Sequence, residues 1–296
     1  MTGKVIAVAN MKGGVGKTAT VVALAEALAA NGSSVLVIDA DAQANASVCI
    51  VGDIELEKLI GKGRTIDAYL NDVLIGAQRL NLKSCIYDRA SNVSHGGQTL
   101  RVSLLAASSE LRLLERELIF GLTERNMGLN AIVRALFRVM QRELNIVGKA
   151  YEYVLIDCAP GISAVTEACT RLADLVIVPT IPDFLSCYGL NSFCENLWKF
   201  DSYGSQHRPK KLPRVLVTRK RQVSEHDLWA KRLANERNKP RPAFEVFRTV
   251  IPEAIAVSRG LALREEYPTF IGKWGVPLIT CYRELVKETQ EAADGT

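Results

Sequence analysis

The hydrophobic residues of the chain fall into short continuous runs that alternate with longer amphipathic stretches. Continuous apolar and β-branched runs are typical of strands buried on both faces, as in a parallel sheet. On this pattern we predict strands at Lys4–Ala9, Val35–Asp39, Arg101–Leu105, Tyr153–Asp157, Leu175–Pro179, Val215–Thr218 and Val246–Ile251. The pattern therefore predicts a sheet whose strands are largely parallel.

Helical spacing occupies the stretches between these runs. The segment from about Lys17 to Asn31 predicts a helix that ends before Gly32, and apolar residues from Leu129 to Leu144 recur at helical intervals typical of a core-facing helix. Strands that alternate with helices predict an α/β fold, a doubly wound and mostly parallel sheet flanked by helices. Ser91–Thr99 has the composition of a surface loop. With no repeat or linker, one domain over 1–296 is the simplest organisation.

Composition favours a soluble globular protein. The 296 residues are 48% hydrophobic and 23% charged, and the first apolar run is interrupted by Gly13 and Gly14, too early for a signal peptide. Seven cysteines include no C-x-x-C pair, so we expect reduced thiols rather than disulfides or a metal site. No stretch reaches the length of a membrane span. We therefore expect a cytoplasmic protein.

Positive charge is concentrated in one segment. Between Ser205 and Arg248 the chain has thirteen Lys and Arg and four acidic residues, a net charge of +9, which leaves about −4 for the rest of a chain whose total is +5. Such a concentration suggests a surface that faces a polyanion, although a solvated face without a partner has the same appearance.

A glycine-rich segment follows the first predicted strand. It reads Asn10-Met-Lys-Gly-Gly-Val-Gly-Lys-Thr18, in which Gly16, Lys17 and Thr18 match the end of a phosphate-binding loop. Glycines let backbone N–H groups converge on phosphate oxygens, and the following helix N-terminus favours anions. Lys17 would reach the β- and γ-phosphates and the Thr18 hydroxyl would bind Mg²⁺. The segment therefore predicts a nucleotide site.

The segment from Lys12 to Thr18 resembles the deviant Walker A motif of the ParA/MinD group. In that family the first lysine, here Lys12, reaches across an ATP sandwich dimer to the phosphates of the partner. The resemblance extends from Val5 to about Arg264, is weak over Asp53–Thr99, and includes a stretch from Val246 to Pro252. A second lysine near the transferred phosphoryl group suits phosphoryl transfer, because stabilising charge dominates that chemistry.

Acidic residues end two further predicted strands. Asp39 and Asp41 lie in a segment similar to the family's Asp-x-Asp switch, with Ala42 and Ala44 in place of Pro and Gly. Asp157 ends an apolar strand in the manner of a Walker B carboxylate. The resemblance implies that Asp41 positions the attacking water, and we predict Thr18, Asp39 and Asp157 as metal-site residues.

The resemblance also implies the remaining site residues, an ATP cofactor with Mg²⁺, and partners. We predict Lys12, Lys17 and Asp41 as catalytic. We predict nucleotide contacts from Lys12, Gly13, Gly14, Val15, Gly16, Lys17, Thr18, Ala19, Pro182 and Asp183. The DNA contacts come from the basic segment instead: its net charge and its position after the predicted strand Val215–Thr218 lead us to expect contacts from Arg219, Lys220, Arg221, Lys231, Arg232 and Arg248.

A ParA-like Mg-ATPase of this kind would form a homodimer on ATP and bind DNA non-specifically at the nucleoid. A ParB-like adaptor would stimulate its slow hydrolysis, and the cargo would be a plasmid, a chromosomal locus or a protein assembly. No Asn-Lys-x-Asp motif occurs, which favours ATP over GTP.

Two other functions have distinct requirements. A MinD-like membrane switch needs a basic amphipathic C-terminal helix, whereas the tail from Tyr282 to Asp294 is rich in acidic residues. An electron-transfer ATPase related to nitrogenase iron protein needs paired cysteines at a dimer interface. Cys158 follows Asp157 in the ParA pattern too, and Cys187 and Cys194 lack C-x-x-C spacing. We therefore expect no membrane partner and no cluster.

Overall fold

The predicted strands assemble in one parallel sheet. The computed structural model describes residues 3–123, 129–199, 209, 211–262 and 269–294. Within them, seven strands pair in the order β5-β2-β6-β1-β7-β8-β9. These strands are β1 (Lys4–Val8), β2 (Val35–Ala40), β5 (Val102–Leu105), β6 (Tyr153–Cys158), β7 (Leu175–Thr180), β8 (Arg214–Lys220) and β9 (Glu245–Pro252), and every pairing is parallel. Each strand prediction is confirmed to within about two residues at either end.

Helices cover both faces of this sheet. The described helices are α1 (Lys17–Ala30), α2 (Asn45–Val51), α3 (Asp53–Gly61), α4 (Ile66–Leu74), α5 (Leu82–Cys85), α6 (Glu110–Thr123), α7 (Leu129–Val147), α8 (Ala164–Leu172), α9 (Phe184–Cys187), α10 (Leu190–Lys199), α11 (Ser224–Ala234), α12 (Ile255–Ala262), α13 (Phe270–Trp274) and α14 (Val276–Asp294). The chain passes from β1 through α1 to β2 in one direction and from β6 through α8 to β7 in the other. Right-handed crossovers in opposite directions place their helices on opposite faces, which is the doubly wound arrangement.

The core explains why these segments fold as they do. Residues 6–9, 35–38 and 154–156 are almost wholly inaccessible to solvent, as expected for strands with helices on both sides. The helical stripe predicted from Leu129 to Leu144 lies on α7, where Ile132, Leu136 and Met140 are buried.

The segment Ser91–Thr99, predicted as a loop, contains two short strands. Ser94–His95 (β3) pairs antiparallel with Gln98–Thr99 (β4), and Gly96 and Gly97 form the turn with positive φ. The segment predicted as a plain loop therefore contains a small hairpin. The positive φ values, which glycine adopts without steric cost, explain why a turn-rich sequence supports it.

Candidate functional site

A glycine-rich loop connects β1 to α1 at the carboxyl edge of the sheet. Gly14 and Gly16 have φ of 75° and 89°, in the left-handed region that side chains disfavour. The Thr218 hydroxyl donates a hydrogen bond of 2.8 Å to the Val15 carbonyl oxygen and so fastens the loop to β8. The backbone N–H groups of the loop and the N-terminus of α1 lie together, and this combination favours binding of a phosphate.

The two predicted lysines lie at opposite ends of this loop. The Lys17 ammonium group donates to the Lys12 carbonyl oxygen at 3.0 Å. Burial lowers the pKa of Lys17, while the negative charge of Asp157 opposes that shift. Lys12 is half-buried beside the exposed Met11 and Gly13. Lys17 is therefore held inside the site and Lys12 lies closer to the surface.

Two carboxylates meet next to the loop. Asp39 and Asp157 are register partners at the ends of β2 and β6, and both are almost fully buried. The Thr18 hydroxyl donates to Asp157 Oδ2 at 2.7 Å, whereas the buried Asp157 Oδ1 has no hydrogen-bond partner among the described residues. Burial raises the pKa of Asp39 to about 6, and burial together with the charge of Asp39 raises that of Asp157 well above its ordinary value.

This arrangement fits a magnesium ion. A hydroxyl and a carboxylate beside a phosphate site are the protein ligands that Mg²⁺ uses with nucleotides, the rest being phosphate oxygens and water. The unpartnered Asp157 Oδ1 is an acceptor available to such an ion. The Asp39 oxygens also accept hydrogen bonds from the backbone of Asp41 and from Ser47, and a metal-site role for Asp39 stays a prediction.

Asp41 begins the loop between β2 and α2. It is 8% exposed and lines the cavity, and its Oδ1 accepts a hydrogen bond of 3.0 Å from the Gln43 N–H. Ala44, which replaces the glycine of the family pattern, has φ of 52°. The loop thus keeps a left-handed turn despite the Cβ, at a steric cost of about 1 kcal/mol.

A cavity of about 660 Å³ opens beside the loop. The predicted residues Gly13, Gly14, Gly16, Lys17, Thr18, Ala19 and Asp41 line it. Other lining residues were not predicted as site residues: Thr20, Gln43, Asn45, Cys49, Pro160, Thr218, Ile251, Pro252, Glu253, Ala254, Val257, Ser258, Leu261, Tyr282 and Leu285. The resemblance at Val246–Pro252 was a signal for part of this lining, because it marked the end of β9.

The predicted residues Pro182 and Asp183 do not line this cavity. Asp183 precedes α9, and its Oδ1 accepts a hydrogen bond of 2.6 Å from the Ser186 N–H. Capping of a short helix is therefore the role that the described contacts give to Asp183. A nucleotide contact by either residue stays a prediction.

The six residues predicted to contact DNA occupy different surroundings. Arg219 lines the cavity. Lys220 pairs with Asp227 at 2.7 Å, and Arg221 pairs with Glu253. Lys231 and Arg232 are exposed on α11, and the Arg232 guanidinium lies 4.7 Å from the centre of the Trp229 ring.

Arg248 lies apart on β9, where it pairs with Glu291 of α14 at 3.2 Å. Residues 205–208 and 210 of the basic segment lie outside the described residues. Acidic side chains from outside the basic segment therefore offset part of its charge.

A phosphate-binding loop at the carboxyl edge of a doubly wound parallel sheet, with a hydroxyl and a Walker B carboxylate beside it, defines a P-loop NTPase. The chain belongs to the AAA domain family, which it matches over residues 3–208, and the ParA-type membership predicted from the sequence is confirmed. Among relatives, the chromosome partitioning protein ParA of Caulobacter vibrioides is 34% identical over 196 residues. That match covers 66% of this chain and 62% of the relative.

Solved structures agree with this fold. Apo McdA of Cyanothece has a TM-score of 0.71 at 19% identity, covering 97% of this chain and 99% of that one. The pNOB8 ParA bound to nonspecific DNA has a TM-score of 0.66 at 19% identity, covering 99% of both chains. A cobyrinic acid a,c-diamide synthase of Mycobacterium smegmatis with bound ADP and magnesium has a TM-score of 0.68 at 22% identity, covering 98% and 94%. At such identities the likeness establishes the fold.

Proposed function

We propose that this protein is a ParA-like Mg-ATPase that dimerises on ATP, binds DNA without sequence preference and positions or segregates a plasmid, a chromosomal locus or a protein cargo. The observation that carries the proposal is that Lys17 and Thr18 lie beside Asp157 at the N-terminus of α1. A cation, a metal-binding pair and a phosphate-binding loop converge there. Phosphoryl transfer needs these groups, because its transition state is stabilised mainly by charge.

Each residue would have a defined role. Thr18 and Asp157 would hold Mg²⁺, which neutralises phosphate charge when bound. The Lys17 ammonium group would exchange its bond with the Lys12 carbonyl for β- and γ-phosphate oxygens. Asp41, a mostly buried carboxylate on the cavity wall, would orient the attacking water. Intrinsic turnover would be slow and a ParB-like adaptor would stimulate it, since a switch must persist in its ATP state.

Exposed apolar side chains around the loop support the ATP-dependent dimer. Met11, Ile162, Phe184, Leu185 and Tyr188 are each more than half exposed, and they follow the adjacent strands β1, β6 and β7. Several large apolar side chains exposed beside a charged site are typical of a surface that a partner covers. A second copy would cover it and would bring its Lys12 to the phosphates of the first.

Exposed cations near the end of β8 support DNA binding. Arg221, Lys231 and Arg232 lie on the loop after β8 and on α11. Such side chains would contact phosphates rather than base edges, so affinity would be similar for all duplexes and would fall steeply with salt. The ParA-family structure described with nonspecific DNA has the same fold. Nucleoid association would follow.

The MinD-like membrane alternative is disfavoured by the packing of the C-terminal helix. The apolar residues Leu278, Ile279, Tyr282, Leu285 and Val286 of α14 are buried, and the helix packs on α1 and β9. An amphipathic membrane anchor needs an apolar face that is free to leave the protein. None of the described helices is long and apolar enough to span a bilayer. Co-sedimentation with anionic liposomes and ATP would test the alternative.

Nucleotide binding is tested with Lys17→Ala and isothermal titration of a non-hydrolysable Mg-ATP analogue, which keeps both the β- and the γ-phosphate. We expect the affinity to fall at least about a hundredfold, because the variant loses charge-assisted bonds to two phosphates. Lys149→Ala, which removes an exposed lysine from the turn after α7, is the control. Near-wild-type affinity in Lys17→Ala would refute the P-loop assignment.

DNA binding is tested with two unrelated duplexes over a salt series, in the presence of ATP. Replacing Arg221, Lys231 and Arg232 with alanine should lower both affinities equally and flatten the salt dependence. The matched control replaces Arg112, Arg116 and Arg138, three exposed arginines of α6 and α7. If ATP-bound wild-type protein ignores both duplexes at low salt, the partition function is wrong.

A further inference from the structure

Arg219 has an unusual backbone for an arginine. Its φ is 51°, in the left-handed region, and it lies where β8 shifts register against β9 between Val217 and Lys220. A non-glycine residue at positive φ within a strand bulge is uncommon, and bulges next to binding sites redirect side chains. Glycine at this position would avoid the backbone strain. An arginine there indicates that its side chain has a function in the orientation that the bulge imposes.

The redirected guanidinium bridges two residues that line the cavity, Gly14 and Glu253. Its Nη1 donates to the Gly14 carbonyl oxygen of the phosphate-binding loop at 2.9 Å, and its Nη2 donates to Glu253 Oε1 at 3.0 Å. Glu253 follows β9 directly and lines the same cavity. These N–H groups lie in the guanidinium plane, so the two contacts fix its orientation and use its edge rather than its faces.

The position of bound phosphates determines which part of the nucleotide lies next to the Arg219 guanidinium. Phosphates bound at the N-terminus of α1 leave the rest of the cavity, bounded by Thr218, Ile251–Ala254 and Val257, for the nucleoside. Arg219 stands between these two parts. The flat faces of an arginine stack well on aromatic rings, and a purine is such a ring.

We propose that Arg219 is a base-stacking residue of the nucleotide site, held in place by Gly14 and Glu253, rather than part of the DNA surface. The proposal rests on the proposed nucleotide-binding function. Glu253 is the positioning residue, and it is shared with Arg221, which pairs with the same carboxylate but does not line the cavity. Arg221 therefore provides a matched control from the same ion-pair cluster.

The test compares Mg-ADP with Mg-pyrophosphate by isothermal titration, because the two ligands differ by the nucleoside. Arg219→Gly suits the observed φ and should fold at least as stably as wild type, which a thermal melt checks. We expect it to weaken Mg-ADP binding about tenfold, the effect of losing a cation–π contact that is partly desolvated, and to leave pyrophosphate affinity within twofold. Glu253→Gln should weaken Mg-ADP less, and Arg221→Ala should change neither affinity.

Several outcomes would overturn the proposal. Equal losses for both ligands in Arg219→Gly would assign Arg219 to the phosphates, and no loss would remove it from the site. A drop in duplex affinity of the Arg219→Gly protein at saturating Mg-ATP, as large as that of Arg221→Ala under the same conditions, would return Arg219 to the DNA surface. Wild-type protein that binds neither ligand would instead refute the P-loop function itself, and the stacking role with it.

Discussion

Binding of Mg-ADP should release protons from the Asp39–Asp157 pair. These carboxylates are buried side by side, and burial together with their mutual repulsion raises both pKa values, so each retains its proton to a higher pH than in water. A magnesium ion at Thr18 and Asp157 would reverse this preference, because a nearby dication favours the ionised carboxylate. The buffer takes up the released protons, so their number per binding site can be measured.

The size of the release follows from the raised pKa. With a pKa of about 6, Asp39 is roughly half protonated at pH 6 and about one-hundredth protonated at pH 8. Asp157, whose pKa is also raised, adds to that release. We therefore expect at least about half a proton more per site at pH 6 than at pH 8.

Isothermal titration in buffers of different ionisation enthalpy measures this number as the slope of the observed enthalpy. As a control, ADP is titrated in the presence of EDTA. This measures the protons that the nucleotide and Lys17 exchange in the absence of metal, which are subtracted from the Mg-ADP value. Asp39→Asn removes one titrating member of the pair, so its slope at pH 6 should be smaller than that of wild type. Tight Mg-ADP binding with a buffer-independent enthalpy at pH 6 would refute the argument.

Three further predictions concern assembly and stability. Asp41→Ala should accumulate as a dimer with ATP, since it loses water positioning but keeps Lys17 and Thr18, whereas Lys12→Ala should remain monomeric; light scattering after size exclusion distinguishes them, and equal masses would contradict the sandwich. Lys273→Met should lower the free energy of unfolding by roughly 3–5 kcal/mol, because it leaves the buried Glu26 without its ion pair of 2.6 Å; urea unfolding should show much of the loss recovered by adding Glu26→Gln. Ala44→Gly should stabilise by about 1 kcal/mol, because φ there is 52°, while the control Ala46→Gly in α2 should destabilise by at least about as much.

The sheet and the phosphate-binding loop could be predicted because their signals are local. A strand buried on both faces needs a continuous apolar run, and a loop that brings N–H groups to a phosphate needs glycines such as Gly14 and Gly16. Asp39 and Asp157 end such runs, so their meeting at one edge follows from parallel pairing. The small hairpin at Ser94–Thr99 escaped prediction because each of its strands has two residues, too few for alternation to be visible.

Most of the remaining cavity lining could not be predicted, because residues distant in sequence build it. Glu253 follows β9, whereas Tyr282 and Leu285 are on α14, and no local pattern announces that they face the phosphate-binding loop. The position of Arg219 at the cavity could likewise not be predicted from the sequence. A run of Arg, Lys and Arg after an apolar strand resembles an exposed basic surface, and the bulge that turns one of the three inward depends on register against β9.

Ion pairs also reduce the positive charge that the basic segment can offer to DNA. Its net charge of +9 counts residues within the segment, whereas Arg221 shares Glu253 and Arg248 reaches Glu288 and Glu291, all from outside it. A guanidinium that already pairs with a carboxylate gains less from a phosphate, because the existing bond must be exchanged. A single copy would therefore release fewer counterions from DNA than the charge count suggests. In the proposed cycle two copies joined over ATP would double these contacts on one duplex, and because the logarithm of affinity scales with the number of phosphates neutralised, nucleotide-dependent dimerisation could switch DNA binding without moving a basic side chain.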